Sequence, residues 1–361
     1  MSERRTLKWY LHLAGRAVVV AVFVGAAWLL YHNLNRAVEQ HLGRPPAGFH
    51  EVLGEIWQAV LATPPSYIAW GALFTVLNYV ILVGYDLLAI RWVGQRLPLW
   101  KIAWASFTSY VFSYNFGATL FGTSVRWRFY SVWGVPLVKI VELLLILGLT
   151  FWFGLFALAG LVFILDPLPV PADLMEKYQP PFADTYWFGW VLLVIAAVYV
   201  GLAALHRGSV RLWRWTVPVP PFRLTLYQIA IASADLMVAA AVLHAVLPDG
   251  GLDYFQTLGA FMLAFTVSVL THVPGGYGVF ELTLLAFMPG ESRLHIFAAV
   301  LVFRLIYYWI PLLIGAGLLA LHELSIRSQA AEPNQAANDA NEPREPQMDA
   351  NQREWTRKNR E

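Results

Sequence analysis

Long apolar runs alternate with short polar connections along this chain, and the runs exceed what a helix in a soluble core needs. About 20 helical residues cross the hydrocarbon of a bilayer. Six segments meet that length: 13–34, 66–90, 138–165, 187–205, 224–247 and 294–322. Two more are apolar but interrupted. Residues 101–121 are semi-polar, with Asn115 and Gly117 near their end, and residues 255–289 are broken by Pro274 through Gly278. After His322 the pattern stops, and residues 323–361 are rich in Asn, Gln, Pro and mixed charge. Such a stretch buries too little apolar surface to offset the entropy of ordering, which predicts a disordered cytoplasmic tail.

Composition supports the hydropathy pattern. The chain of 361 residues is 58% hydrophobic and 13% charged, whereas soluble domains carry about 25% charged residues. Sixteen Trp and sixteen Tyr suit the two interfaces of a bilayer, where amphipathic rings sit at headgroup level. The first apolar run follows Arg4, Arg5, Lys8 and Arg16 but ends in bulky residues without a small-x-small cleavage site, so it predicts a retained anchor rather than a signal peptide. The absence of Cys excludes disulfides, thiolate metal sites and a cysteine nucleophile, and no His/Asp/Glu spacing suggests a metal site.

Charge in the connections sets the topology. Arg91, Arg96 and Lys101, then Arg126, Arg128 and Lys139, then Arg207, Arg211, Arg214 and Arg223 form basic connections, while the 166–186 loop carries Asp166, Asp173, Glu176 and Asp184. If both interrupted segments dip into the membrane and return, every Arg-rich connection is cytoplasmic, as the positive-inside bias asks. The fold class expected is therefore all-α: a polytopic membrane helical bundle with two re-entrant hairpins and both termini cytoplasmic. Residues 13–165 and 187–322 then repeat one order of span, span with an acid, hairpin, span, from opposite sides of the membrane. Inverted repeats with broken helices are a common transporter plan. One integral membrane domain, residues 1–322, is expected.

Ionisable groups at bilayer depth are costly and usually face a cavity or a partner. Here they are Asp86, Arg126, Asp235, Glu281 and Arg304. Arg304, Tyr307, Tyr308 and Pro311 share one helix face, a donor-rich stripe suited to phosphate or to an internal carboxylate. Asp86 has Arg91 one turn away as an alternative partner, and Asp235 has Ser233. Glu142 is expected to pair with Lys139. In HVPGGYGVFELTLL, residues 272–285, Pro274 ends a helix, Gly275, Gly276 and Gly278 permit exposed backbone, and a new helix restarts near Val279 with Glu281 in its first turn. Non-helical backbone at this depth is tolerated only inside protein or along a wet cavity, and Glu281 either caps the new helix or attracts an amine.

The PGGYGVFE stretch, the intramembrane R-x-x-Y-Y-x-x-P from Arg304 to Pro311, the Tyr85-Asp86 pair and the run from Asn115 to Ser131 occur in an order that resembles the membrane domain of the lysylphosphatidylglycerol synthase/flippase (MprF-type) family. The resemblance covers about residues 10–322, with Asp235 standing where many relatives are expected to carry Glu. It implies a stand-alone member in a bacterial cytoplasmic (inner) membrane, without the soluble aminoacyltransferase part and so without enzyme activity. No cofactor is expected, and no G-x-x-x-x-G-K-S/T loop is present. The implied activity is flippase-like translocation of a phospholipid, aminoacylated phosphatidylglycerol for example. Arg126 and Arg304 would hold phosphate, and Asp86, Asp235 and Glu281 amines or protons. The residues leave open a small-solute or ion transporter, and a non-transporting membrane partner of envelope-lipid enzymes. A homodimer and a separate lipid-modifying enzyme remain open as partners, and nucleic acid does not.

Overall fold

The computed structural model describes Gly25 and residues 28–324, except 118–120, 172–174, 177–180, 206–207, 213–214, 249–252 and 289–291. The N-terminal anchor expected at 13–34 falls mostly outside the described residues, as does the tail beyond Leu324. Residues up to Gly315 form one compact unit; Ala316 onward is a second, of which 316–324 are described and helical.

The helices in chain order are α1 (28–42), α2 (Phe49–Leu61), α3 (Pro65–Trp92), α4 (Leu99–Phe116), α5 (Thr123–Val132), α6 (Leu137–Leu165), α7 (Tyr186–Leu205), α8 (Phe222–Val246), α9 (Tyr254–Leu270), α10 (Val279–Phe287) and α11 (Arg293–Leu324). Proline marks the starts: Pro64, Pro98, Pro136 and Pro221 stand immediately before α3, α4, α6 and α8. Proline lacks an N–H that the first turn would leave unpaired, and it resists continuing a preceding helix.

Among the described residues, five helices are long and apolar enough to cross a membrane: α3, α6, α7, α8 and α11. They match five of the six predicted runs to within a few residues. The interrupted segments fold as broken pieces. Residues 101–121 give most of α4, which ends at Phe116, with α5 starting just beyond them at Thr123, and residues 255–289 give α9, a 3-10 turn at Pro274–Gly276, and α10. Among the described residues, one motif is not helical. The connection after α7 forms a two-stranded antiparallel hairpin, Gly208–Leu212 with Trp215–Val219, in a register that pairs Gly208 with Val219. Hydropathy marks that stretch only as a basic connection, because strands of five residues are too short to show a long periodic signal.

α3 lies along α8, and α6 packs against both α7 and α8. The α6–α8 approach is close: a Cβ added to Gly154 would sit 2.0 Å from the Cβ of Ala232. In lipid, where no hydrophobic gradient pulls helices together, such small-residue contacts let van der Waals packing do so. The outward faces stay apolar: Trp70, Leu73, Val76 and Val80 on α3, and Trp187, Val191, Val194 and Val198 on α7, are exposed. The inward faces carry the polar groups, with Asn78, Asp86, Asp235, Gln228, Glu281 and Arg304 buried.

Candidate functional site

The break between α9 and α10 supplies the first part of the site. Pro274 opens a single 3-10 turn, and Gly275 and Gly276 hold φ of 64° and 63°. A Cβ at Gly275 would lie 2.5 Å from the Tyr277 ring, and one at Gly276 would lie 2.8 Å from Ser268 Cβ, so both conformation and space require glycine. α10 restarts at Val279, and the Gly278 N–H donates to Glu281 Oε2 at 2.7 Å, closing the start of the helix as expected of a first-turn carboxylate. The other carboxylate oxygen accepts from Arg304 Nε. Arg304 also donates to the Gly275 carbonyl at 2.9 Å and lies 4.3 Å over the Tyr277 ring. The exposed backbone of the break is thus satisfied by a guanidinium from α11, buried to 1% exposure.

The helix that carries Arg304 is distorted directly after it. Residues Leu305–Trp309 form a π turn, and Ile310 N–H bonds to the Leu305 carbonyl. Pro311 has no N–H for the carbonyl four residues earlier, that of Tyr307. That carbonyl accepts instead from Tyr79 on α3 at 3.2 Å, and the Tyr308 carbonyl accepts from Asn115 Nδ2 at 3.2 Å. These two carbonyls thereby tie α11 to α3 and α4.

A second ion pair lies between α3 and α5. Arg126 Nε and Nη2 donate to the two oxygens of Asp86, each at 3.1 Å, in a bidentate fork. Tyr130, one turn beyond Arg126, donates to Asp86 Oδ1 at 2.8 Å. Asp86 is fully buried, so its charge is held by Arg126 rather than by the nearer-in-sequence Arg91.

Asp235 is different. It lies at 4% exposure in the middle of α8, and its donors are neutral. Tyr85 donates to Oδ2 at 2.8 Å; Asn78 Nδ2 donates to Oδ1 at 2.9 Å and to the Asp235 backbone carbonyl at 2.7 Å. Asn78 Oδ1 accepts from Tyr307 at 2.7 Å, which fixes the amide orientation. Side chains from α3, α8 and α11 meet in this one chain of bonds.

Tyrosines connect the three parts. Tyr110 of α4 lies 4.3 Å under the Arg126 guanidinium and 6.0 Å from the Tyr85 ring. Tyr114, one turn on, is 5.9 Å from Tyr110, 5.7 Å from Tyr307 and 5.9 Å from Tyr308. Tyr308 lies 5.3 Å from the Arg304 guanidinium. The structure therefore brings the ten sequence-predicted residues into one buried network of three sub-clusters: Asp86 with Arg126, Asp235 with Tyr307, and Glu281 with Arg304, Gly275, Gly276, Gly278 and Tyr308. Glu142 pairs with Lys139 at 2.8 Å, apart from it.

Sequence reasoning missed several members. Asn78 and Tyr85 stand seven residues apart, two turns on one face of an apolar span, which is a readable signal. Tyr110 and Tyr114 likewise stand one turn apart in SYVFSYNFG, and Tyr130 one turn after Arg126. A separate buried triad, Gln228 bonded to Thr150 at 2.8 Å and to Tyr199 at 3.1 Å, ties α6, α7 and α8 together.

Span-length helices that turn apolar faces outward and gather ionisable groups and tyrosines inside define a multi-pass helical membrane protein. No family model matches the chain. The chain belongs to the family of the uncharacterized protein slr0712 of Synechocystis sp., with 33% identity over 293 residues, 79% of this chain and 89% of that protein. The inner membrane protein YbhN of Escherichia coli is 29% identical over 265 residues, 72% of this chain and 81% of that protein. The phosphatidylglycerol lysyltransferase of Staphylococcus haemolyticus is 24% identical over 250 residues, 65% of this chain but 27% of that protein.

Proposed function

We propose that the protein is a flippase-like translocase that moves a phospholipid between leaflets, with the buried network as its headgroup site. The observation that carries this is Asp235: a mid-span carboxyl group with neutral donors, flanked through tyrosines by two guanidinium groups. Arg126 and Arg304 would receive the phosphate when Asp86 and Glu281 release them, and Asp235 would take an amine or a proton. Similarity to part of a phosphatidylglycerol lysyltransferase supports an aminoacylated phosphatidylglycerol as substrate. In this reading the segments around α4–α5 and α9–α10 are re-entrant hairpins of an inverted repeat, both termini are cytoplasmic, and the chain catalyses no synthesis. Movement is driven by a gradient, by proton coupling through the acids, or is passive.

The test is reconstitution of the full chain in liposomes with labelled aminoacyl-phosphatidylglycerol and, in parallel, unmodified phospholipids. Leaflet exchange faster than in empty vesicles supports the proposal; equal rates for every lipid overturn it. One observation favours a second reading, a non-transporting partner of envelope-lipid enzymes. Both guanidinium groups are already closed by carboxylates of the chain itself, as in a scaffold. Under that reading Asp235→Asn and Arg304→Gln leave function intact.

A further inference from the structure

α2 (Phe49–Leu61) is a short helix with three chemically different faces. Val52 and Ile56 are buried at 1% and 7% exposure, in a cluster with Leu34 and Val38 of α1 and Leu294 and Phe297 of α11. A second stripe, Phe49, Leu53, Trp57 and Leu61, recurs every four residues and is 54%, 46%, 63% and 67% exposed. At 3.6 residues per turn these four sweep about 120° of the helix surface. The third face carries Glu51, Glu55 and Gln58, and Glu51 is closed onto Arg44. The Arg44 guanidinium holds the Glu51 carboxyl below the usual glutamate range, which keeps that face charged.

A helix with one face against protein and one toward water would end there. The remaining face, large and apolar apart from His50 in the first turn, needs an occupant. Its position names one. Only Ala62, Thr63 and Pro64 separate Leu61 from the start of α3 at Pro65. Four Cα–Cα steps reach at most about 14 Å, so the C-terminal end of α2 stays within that distance of a span-length helix. α2 also packs, through Val52 and Ile56, on Leu294 and Phe297 in the first two turns of α11, a second span-length helix.

We infer that α2 lies in the interfacial layer of the bilayer, parallel to its plane, with Phe49, Leu53, Trp57 and Leu61 against lipid acyl chains and Glu51, Glu55 and Gln58 in the headgroup water. A tryptophan at this depth places its ring where such rings concentrate, and an amphipathic helix buries its apolar face there by about 5–10 Å. This inference rests on α3 being a membrane span and not on lipid movement. Its partner is the lipid surface rather than a second copy of the chain, because α2 is joined to the end of one span-length helix and packs on the end of another.

The chain has no Cys, so a single introduced thiol reports one position. Leu53→Cys, Trp57→Cys, Leu61→Cys and Gln58→Cys are each made in the full chain, nitroxide-labelled, and reconstituted in vesicles of phosphatidylglycerol and phosphatidylethanolamine. At 53, 57 and 61, collision with oxygen should exceed collision with a water-soluble nickel chelate at least several-fold, with the order reversed at 58. Equal access of the chelate to all four positions overturns the inference. So does exclusion of both reagents at 53 and 61, which marks a protein contact over the stripe. Trp57 is untouched in the Leu53 and Leu61 variants, so loss of the tryptophan variant leaves the test intact. A chain that fails to move lipid but gives the expected pattern refutes the translocase reading alone.

Discussion

Removing one partner of the Glu281–Arg304 pair is the sharpest test of whether the site is desolvated. Both side chains are almost fully buried, at 4% and 2% exposure. Glu281→Gln keeps an acceptor for the Gly278 N–H but leaves the guanidinium facing a neutral amide. Breaking a buried pair in this way costs about 3–5 kcal/mol, chiefly through the charge left behind. Arg304→Gln breaks the same pair from the other side, at a comparable cost of about 3–5 kcal/mol, and also removes the donor to the Gly275 carbonyl. The assay is tryptophan-detected unfolding in mixed detergent micelles, each variant against the parent. A cost below about 1 kcal/mol for either variant, the value of an exposed pair, would refute the reasoning and mean that water reaches the pair.

Asp235→Asn keeps the shape of the chain of bonds from Tyr85 and Asn78 while losing one acceptor, so unfolding should change by about 1 kcal/mol. Leaflet exchange in liposomes should nevertheless fall at least tenfold, and retained exchange would remove Asp235 from the mechanism. Gly154→Ala forces α6 away from α8, because the new methyl would meet Ala232 at 2.0 Å. Overpacking of this kind costs about 1–3 kcal/mol, and Gly154→Ala combined with Ala232→Gly should recover much of it in the same unfolding assay.

Most of the span positions were legible in the sequence because crossing hydrocarbon is a local demand: some twenty apolar residues in a row, whatever else the chain does. The break at Pro274–Gly278 was legible for the same reason, since a proline and glycines dictate backbone conformation without help from neighbours. That break also predicted Val279 as the restart of a helix and Glu281 in its first turn, where the structure has them. The ionisable residues could be chosen because charge inside an apolar run is conspicuous and costly.

The local pair Lys139–Glu142 was legible too, but partnerships between distant helices were beyond the sequence. Asp86 has Arg91 one turn away, yet its oxygens belong to Arg126, 40 positions on; Asp235 is bonded to Asn78, 157 positions earlier. Such pairings depend on which helix faces meet, and nothing in a helix's own residues specifies its rotation against a neighbour. The tyrosines show the same limit. In a sequence with sixteen of them, Tyr110 and Tyr114 look like interfacial anchors, and only packing turned them inward to join two ion pairs. The sequence alone determined which segments are apolar enough to enter a membrane and where one of them must break, because those follow from residue type and spacing. Tertiary structure decided which charges neutralise one another and which carboxyl is left with neutral donors, because burial and distance arise only when helices far apart in the chain pack side by side.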